Sequence, residues 1–159
     1  MNRYSPADIE IFVNRLYQGQ PVFVVPYSYT VSFAGLTTTG TTNTQTKTLS
    51  ITANADFVFM QAYYHAVLAA AGQTVSNRPI ALARVLIVDT GTNEQFTNEA
   101  VDLEAFATNG SVDNTVVYPR LIQGRTALSL TATGYGPAAE TYTALDLTLS
   151  GVLVRMKTQ

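Results

Sequence analysis

The stretch that most constrains this chain is its last regular run, ALDLTLSGVLVR, where Leu145, Leu147, Leu149, Gly151 and Leu153 alternate with Asp146, Thr148, Ser150 and Val152. A period of two sends the first set to one face of a β-strand and the second to the other, giving one buried and one mostly polar face. Such a strand needs neighbours on both sides and a second layer over its apolar face. The same grammar recurs upstream in PVFVVPYSYTVSFAGL, KTLSITA, FVFMQAYYHAVLA and IALARVLIVD, with a short return over Glu94 to Asn98. Two further strands are expected in TVVYPRLIQGRTALSLTATG, around a loop near Pro119 and Gly124. Asn54-Ala55-Asp56, Asp89-Thr90-Gly91-Thr92-Asn93 and Gly134-Tyr135-Gly136-Pro137 supply turn chemistry between them. About seven or eight strands at fairly even spacing predict a mainly β fold, an antiparallel, jelly-roll-like sandwich.

Only the N-terminus reads differently. Ser5-Pro6-Ala7-Asp8 has the form of a helix start, with a capping serine, a proline tolerated at the first helical position and an acid at the positive end of the dipole. Ile9, Phe12, Val13, Leu16 and Tyr17 then recur at the helical period, and Gly19 and Pro21 end the element, so one short helix is expected over residues 6–18. A helix of that length is not stable alone, so its apolar stripe must dock. It either closes one end of its own sandwich or inserts between neighbouring subunits.

At 159 residues the chain suits one domain, 1–159, with the sandwich over 22–155. Pro26 places the first strand near an edge or gives it a bulge, because proline cannot donate to a ladder. Residues 37–46, TTTGTTNTQT, have no apolar period and read as an exposed loop or ragged edge. Strict alternation through 57–68 puts Phe57, Phe59, Gln61, Tyr63, His65 and Val67 on one face and Val58, Met60, Ala62, Tyr64, Ala66 and Leu68 on the other. Residues 71–79 are expected as a loop, and VDLEAFATNG as a loop with one apolar anchor.

Charge narrows the possible partners. Charged residues are 13% of the chain, against about 25% in an ordinary soluble domain, and polarity comes instead from 23 Thr with Ser, Asn and Gln. A surface poor in charge favours assembly against other protein, the alternative being Thr-rich strands that simply face water. A formal charge of -2 without a Lys or Arg run argues against nucleic acid as a partner. There is no Cys, hence no disulfide framework and no thiolate metal site. No apolar run reaches membrane length and the opening residues lack a signal-peptide pattern, so a protein made inside the cell and not in a membrane is expected.

The sharpest candidate for chemistry is Leu86-Ile87-Val88-Asp89-Thr90-Gly91-Thr92, since an apolar strand running into Asp-Thr-Gly resembles the catalytic loop of aspartic proteases. With one copy, such an enzyme would have to be a homodimer. No Gly-rich flap follows, Leu121-Ile122-Gln123-Gly124 imitates the later apolar pair only loosely, and a β-hairpin uses Asp-Thr-Gly anyway. His65 is a lone histidine and cannot build a zinc site without Cys or a second His. Glu94, Glu99, Asp102 and Glu104 have neither calcium-loop nor paired-acid spacing. Tyr27, Tyr29, Tyr63 and Tyr64 are candidates for a sugar-stacking platform, against their ordinary use in strand packing. The expectation is no enzyme, no cofactor and no metal.

The ordered series ITANADFVFMQAYYHAV, ARVLIVDTGTNEQFTNEAVDLEAF, VYPRLIQGRTALSLTATG and ALDLTLSGVLVR resembles small bacteriophage virion proteins of the capsid decoration or cement type. The shared features are an aromatic strand after an Ala-Asp turn, a strand ending in an Asp-x-Gly hairpin, Pro-Arg before an apolar pair, and a closing Leu-alternating strand with Gly. They cover residues 48–155. The resemblance implies a jelly-roll-like sandwich in the virion, commonly trimeric or at symmetry axes, with the major capsid protein or other virion proteins as partners. The expected contact elements are the helix, through Ile9, Phe12, Val13, Leu16 and Tyr17, and the Thr-rich loop, through Thr38, Thr41 and Thr42. A tail or fibre module that binds a receptor or carbohydrate is the alternative.

Overall fold

A computed structural model describes residues 4–69, 80–109 and 115–157, with the side chains of 115–117 left aside. The loop expected over 71–79 lies outside the described residues. The elements run α1 (Pro6–Leu16), β1 (Val22–Ser32), β2 (Thr44–Ser50), β3 (Asp56–Leu68), β4 (Ala83–Asp89), β5 (Glu94–Gln95), β6 (Val101–Asp102), α2 (Leu103–Phe106), β7 (Thr115–Ile122), β8 (Ala127–Gly134) and β9 (Tyr142–Met156). One sheet has the order β1-β9-β3-β7 and the other β2-β8-β4-β5, with β6 also on β4. All the strand pairs are antiparallel. The two-residue strands β5 and β6 share one edge position, so the order is that of an eight-stranded jelly roll, two facing sheets of four positions each. The antiparallel sandwich expected from the sequence is therefore what the chain forms, in nine segments instead of seven or eight.

The closing run behaves as its alternation requires. Leu145, Leu147, Leu149 and Leu153 enter the main core between the sheets, with Phe57, Phe59, Leu128 and Leu130. Polar faces look outward and are tied by hydroxyl pairs: Ser28 to Ser150 at 3.0 Å, Thr30 to Thr148 at 2.9 Å and Thr46 to Thr131 at 2.9 Å. Cross-strand Thr pairs stabilise a sheet, so Thr30, Thr46, Thr131 and Thr148 form such ladders on the outer faces.

Strict alternation fails in β3. Register passes from Phe59 opposite Gly151 to Gln61 opposite Ser150, which leaves Met60 as the extra residue of a bulge. Before the bulge Phe57 and Phe59 face the core; after it Ala62, Tyr64 and Ala66 do. His65 is exposed, and Met60 packs outside beside Val58. Other boundaries also shift. The helix stops at Leu16, ahead of the expected residue 18, where Gln18 and Gly19 take positive φ of 53° and 75°. Three residues assigned to the Thr-rich loop, Thr44 to Thr46, are already strand β2, paired with Thr133 to Thr131. Pro119 lies within β7 instead of in a loop; β7 is an edge strand, where a missing N–H is tolerated. VDLEAFATNG forms β6 and α2, and its apolar anchor is Leu103, buried at 3% exposure.

Helix α1 packs across the outer face of the four-stranded sheet. Ser5 and Asp8 form a reciprocal capping box, Ser5 Oγ accepting from Asp8 N at 3.2 Å and Asp8 Oδ2 accepting from Ser5 N at 2.9 Å. Beneath the helix, Val13 joins Val58, Val152 and Val154 in a small second cluster that Ile9, Phe12, Tyr17 and Val22 surround. Tyr17 donates to Asp56, whose other oxygen accepts from Gly124 N at 2.8 Å, fastening the helix end to the turn between β7 and β8.

Candidate interaction surface

Strand β1 is eleven residues long, lies at the sheet edge and contains no charged residue. Its pairing with β9 fixes which groups are free. Phe33 N donates to Leu145 O at 2.8 Å, and Pro21 O accepts from Lys157 N at 3.0 Å. In an antiparallel ladder the bonded positions alternate, so odd-numbered residues bond to β9 while Val22, Val24, Pro26, Ser28, Thr30 and Ser32 turn their main-chain groups to the open side. Pro26 thus falls where its missing N–H costs the β9 ladder nothing.

Odd-numbered side chains of β1 face the sandwich interior, and burial falls away along the strand. Val31 is 7% exposed and Tyr29 half-buried, but Tyr27 is 45%, Val25 47% and Phe23 57% exposed. The second sheet does not cover that end. The aromatic row Tyr27, Tyr29, Phe57, with ring centroids 4.8 and 5.0 Å apart, therefore runs from the core out to the surface. Val24 and Met156 are also exposed, on the opposite face of the β1–β9 pair. The rim is basic: Lys157 Nζ lies 4.8 Å from the Phe23 ring centroid, and Arg155 stands opposite Phe23. Sequence reading put this strand near an edge, or gave it a bulge, from Pro26 and named Tyr27 only as a sugar-stacking candidate; Phe23 and Val25 it did not single out. The signal was present in a proline-marked edge strand with apolar residues on both faces, which one sandwich cannot bury on both sides.

The expected contact residues lie elsewhere. On α1, Val13 is 1% exposed, Ile9, Phe12 and Tyr17 are half-buried against their own sheet, and Leu16 and Ile11 remain exposed. In the Thr-rich loop, Thr38 is buried, its Oγ1 donating to Ala138 O at 2.6 Å and accepting from Glu140 N at 2.9 Å, so it clamps two loops of its own chain. Thr41 and Thr42 are exposed, and the Thr42 hydroxyl pairs with that of Thr37 at 2.9 Å.

The chemical candidates are dispersed. Asp89 is buried, and its Oδ1 accepts from Gly91 N at 2.8 Å and Thr92 N at 3.4 Å, so the carboxylate holds its own turn. His65 sits on the outer face opposite Asp146. Tyr64 points inward and donates to Glu104; burial, with that carboxylate beside it, pushes its phenol well above the ordinary range. Tyr63 donates to Gln61 on the outer face. Glu94 pairs with Arg120 at 3.0 Å and Asp102 with Arg84 at 3.2 Å. Among the described residues no three or more His, Asp or Glu are grouped to hold a metal ion. A shallow hollow of about 680 Å³ lies along the opposite edge, lined by Glu94, Gln95, Tyr118, Pro119, Arg120 and Leu121. No helix among the described residues is long and apolar enough to cross a membrane. Compared with known proteins, the chain matches no family model, no curated protein and no solved structure.

Proposed function

We propose that this chain is a structural protein of a virus particle, a decoration or cement protein that lies across capsid subunits and stabilises the shell. The observation that carries the reading is the exposed apolar stripe Phe23, Val25 and Tyr27 on a strand without charge. Exposed apolar patches on otherwise polar proteins mark sites of protein contact. Jelly rolls recur among capsid proteins, and the strand-and-turn series resembles small phage virion proteins. The role needs no catalysis: whatever binds only the assembled shell stabilises it by mass action. In the test, the purified chain is added to phage capsids that lack it. It should co-sediment with them and raise their temperature of disruption, and Val25→Asp with Tyr27→Asp should abolish both effects. Absence of co-sedimentation by the unaltered chain would sink the proposal. The carbohydrate-binding reading draws on one feature, Tyr118, which is 74% exposed beside the Arg120–Glu94 pair. Glycan-array binding that Tyr118→Ala removes would favour it over the cement role.

A further inference from the structure

Along the β7 edge the pairing with β3 is interrupted. Register passes from Phe59 opposite Arg120 to Gln61 opposite Thr115, so the stretch of β7 that carries Tyr118 and Pro119 bulges from the sheet. Bulges at sheet edges re-aim side chains. Tyr118 is left 74% exposed, against 45% for Tyr27 and 37% for Tyr135. Those two are already engaged, Tyr27 against the Tyr29 ring and Tyr135 under the Arg84 guanidinium. Tyr118 meets Phe12 at 5.4 Å with the rings at 78°. A contact so near to perpendicular covers at most one face of the Tyr118 ring, and the exposure leaves the other open.

Beside that ring lies the hollow of about 680 Å³ that Tyr118 and Arg120 line together with Glu94 and Gln95, a size within the roughly 300–1,000 Å³ of small-molecule sites. Its polar groups are held in place before any ligand arrives. The Arg120 guanidinium lies 4.2 Å from the Phe96 ring centroid, its Nη2 donates to Glu94 Oε2 at 3.0 Å and its Nη1 to Gln95 O at 3.4 Å. A planar group fixed in this way loses little further freedom on binding. Those bonds do not exhaust its N–H donors, nor the lone pairs of the exposed Glu94 carboxylate.

We propose that this hollow binds a neutral saccharide, one pyranose ring lying on the open face of Tyr118 with adjacent hydroxyls bonded to Arg120 and Glu94. A sugar hydroxyl both donates and accepts, so neighbouring hydroxyls match a donor set beside an acceptor. The C–H face of a pyranose is apolar and suits an aromatic plane. Neutrality follows from the pair's charge. Glu94 cancels Arg120, and an acidic sugar directed at the guanidinium would meet the carboxylate, a like-charge contact that costs affinity. An apolar peptide fits worse, because covering the pair would strip water from both charges without replacing its hydrogen bonds. The inference rests on the reading of Tyr118 as a carbohydrate contact. It draws nothing from the β1 stripe, which lies at the other edge of the same sheet.

The test screens the full chain on an array that pairs neutral oligosaccharides with their sialylated and sulfated forms, then titrates the best-bound neutral oligosaccharide by calorimetry. Binding should favour the neutral members, and affinity should hold between about 50 mM and 500 mM salt, since no net charge is there to be screened. Tyr118→Ala should weaken it roughly tenfold or more, the scale of one lost aromatic contact. Tyr118→Phe keeps the ring and should bind as the unaltered chain does. Glu94→Gln leaves Arg120 uncancelled and should admit the sulfated forms. Both positions are exposed, so circular dichroism of the variants should match the unaltered chain. Undiminished binding by Tyr118→Ala overturns the proposal, as does continued rejection of sulfated forms by Glu94→Gln. Binding confined to sialylated or sulfated glycans overturns the neutral class and leaves the carbohydrate reading standing, whereas binding to no glycan overturns both.

Discussion

Among the described glycines Gly151 leaves the least room for a side chain, and its replacement gives a stability test with a worked magnitude. It lies in β9 between Tyr27 of β1 and Phe59 of β3, where β3 begins its bulge. A Cβ built there would stand 1.9 Å from Val58 O and 2.9 Å from Val58 C. The obstacle is main chain in the middle of a sheet, which no rotamer change can move aside. Gly151→Ala must therefore displace β3 from β9, and overpacking of this kind costs typically 1–3 kcal/mol and occasionally more. We expect the upper end, about 3 kcal/mol, which for a chain of this size lowers the melting temperature by roughly 6–12 °C. Gly40→Ala is the control. Gly40 has φ +87° with nothing within 4 Å of an added Cβ, so only the left-handed penalty of about 1–2 kcal/mol applies. Urea titration should show a lower midpoint for Gly151→Ala at unchanged slope. If Gly151→Ala proved no less stable than Gly40→Ala, the close approach of Val58 to β9 would be wrong.

Two further perturbations address groups whose hydrogen-bond partners the sequence alone did not reveal. Burial, then a carboxylate hydrogen bond, raises the phenol pKa of Tyr17 and Tyr64 above the ordinary 10.0; below pH 10 both folded and unfolded chains keep these protons, while above it the unfolded chain loses them first, so stability falls as pH rises through the folded values. Tyr17→Phe with Tyr64→Phe should flatten that alkaline decline in urea titrations, and parallel declines would contradict the assignment. Thr38→Val keeps the shape but strands Ala138 O and Glu140 N, at a cost of about 1–3 kcal/mol; hydrogen exchange at the Glu140 amide should accelerate, and an unchanged rate would refute the clamp.

What the sequence disclosed follows from the range of the interactions involved. The cap at Ser5, the alternation of Leu145 to Leu153 and the turn at Asp89 are local, each readable from residues a few positions apart. The bulge at Met60 is not. It depends on the register of β3 against Gly151 of a strand some ninety residues later, and one inserted residue brings Ala62, Tyr64 and Ala66 to the core face of Phe57 and Phe59, where strict alternation had grouped them with Val58 and Met60. Thr38 was legible as a threonine in a polar run but not as a buried clamp, because its partners lie about a hundred residues away. The stripe on β1 depends on where the second sheet stops, which no periodicity within β1 encodes.

A chain with so little charge must still avoid pairing its sheets edge to edge, and each edge carries a device against it. Edge β1 carries Pro26 at an open-side position and β7 carries Pro119. Edge β2 carries the exposed Lys47, and the fourth edge is broken into two-residue pieces, β5 and β6. Prolines, lysines and very short strands are the usual means of blunting a sheet edge. With extension of the sheets opposed at all four edges, contact with another chain is left to side chains. The largest exposed apolar side chains of β1, Phe23, Val25 and Tyr27, point toward the interior side of the slab and not along its blunted edge. A partner can therefore cover the stripe without adding a strand, which couples specific association to resistance against indiscriminate strand pairing.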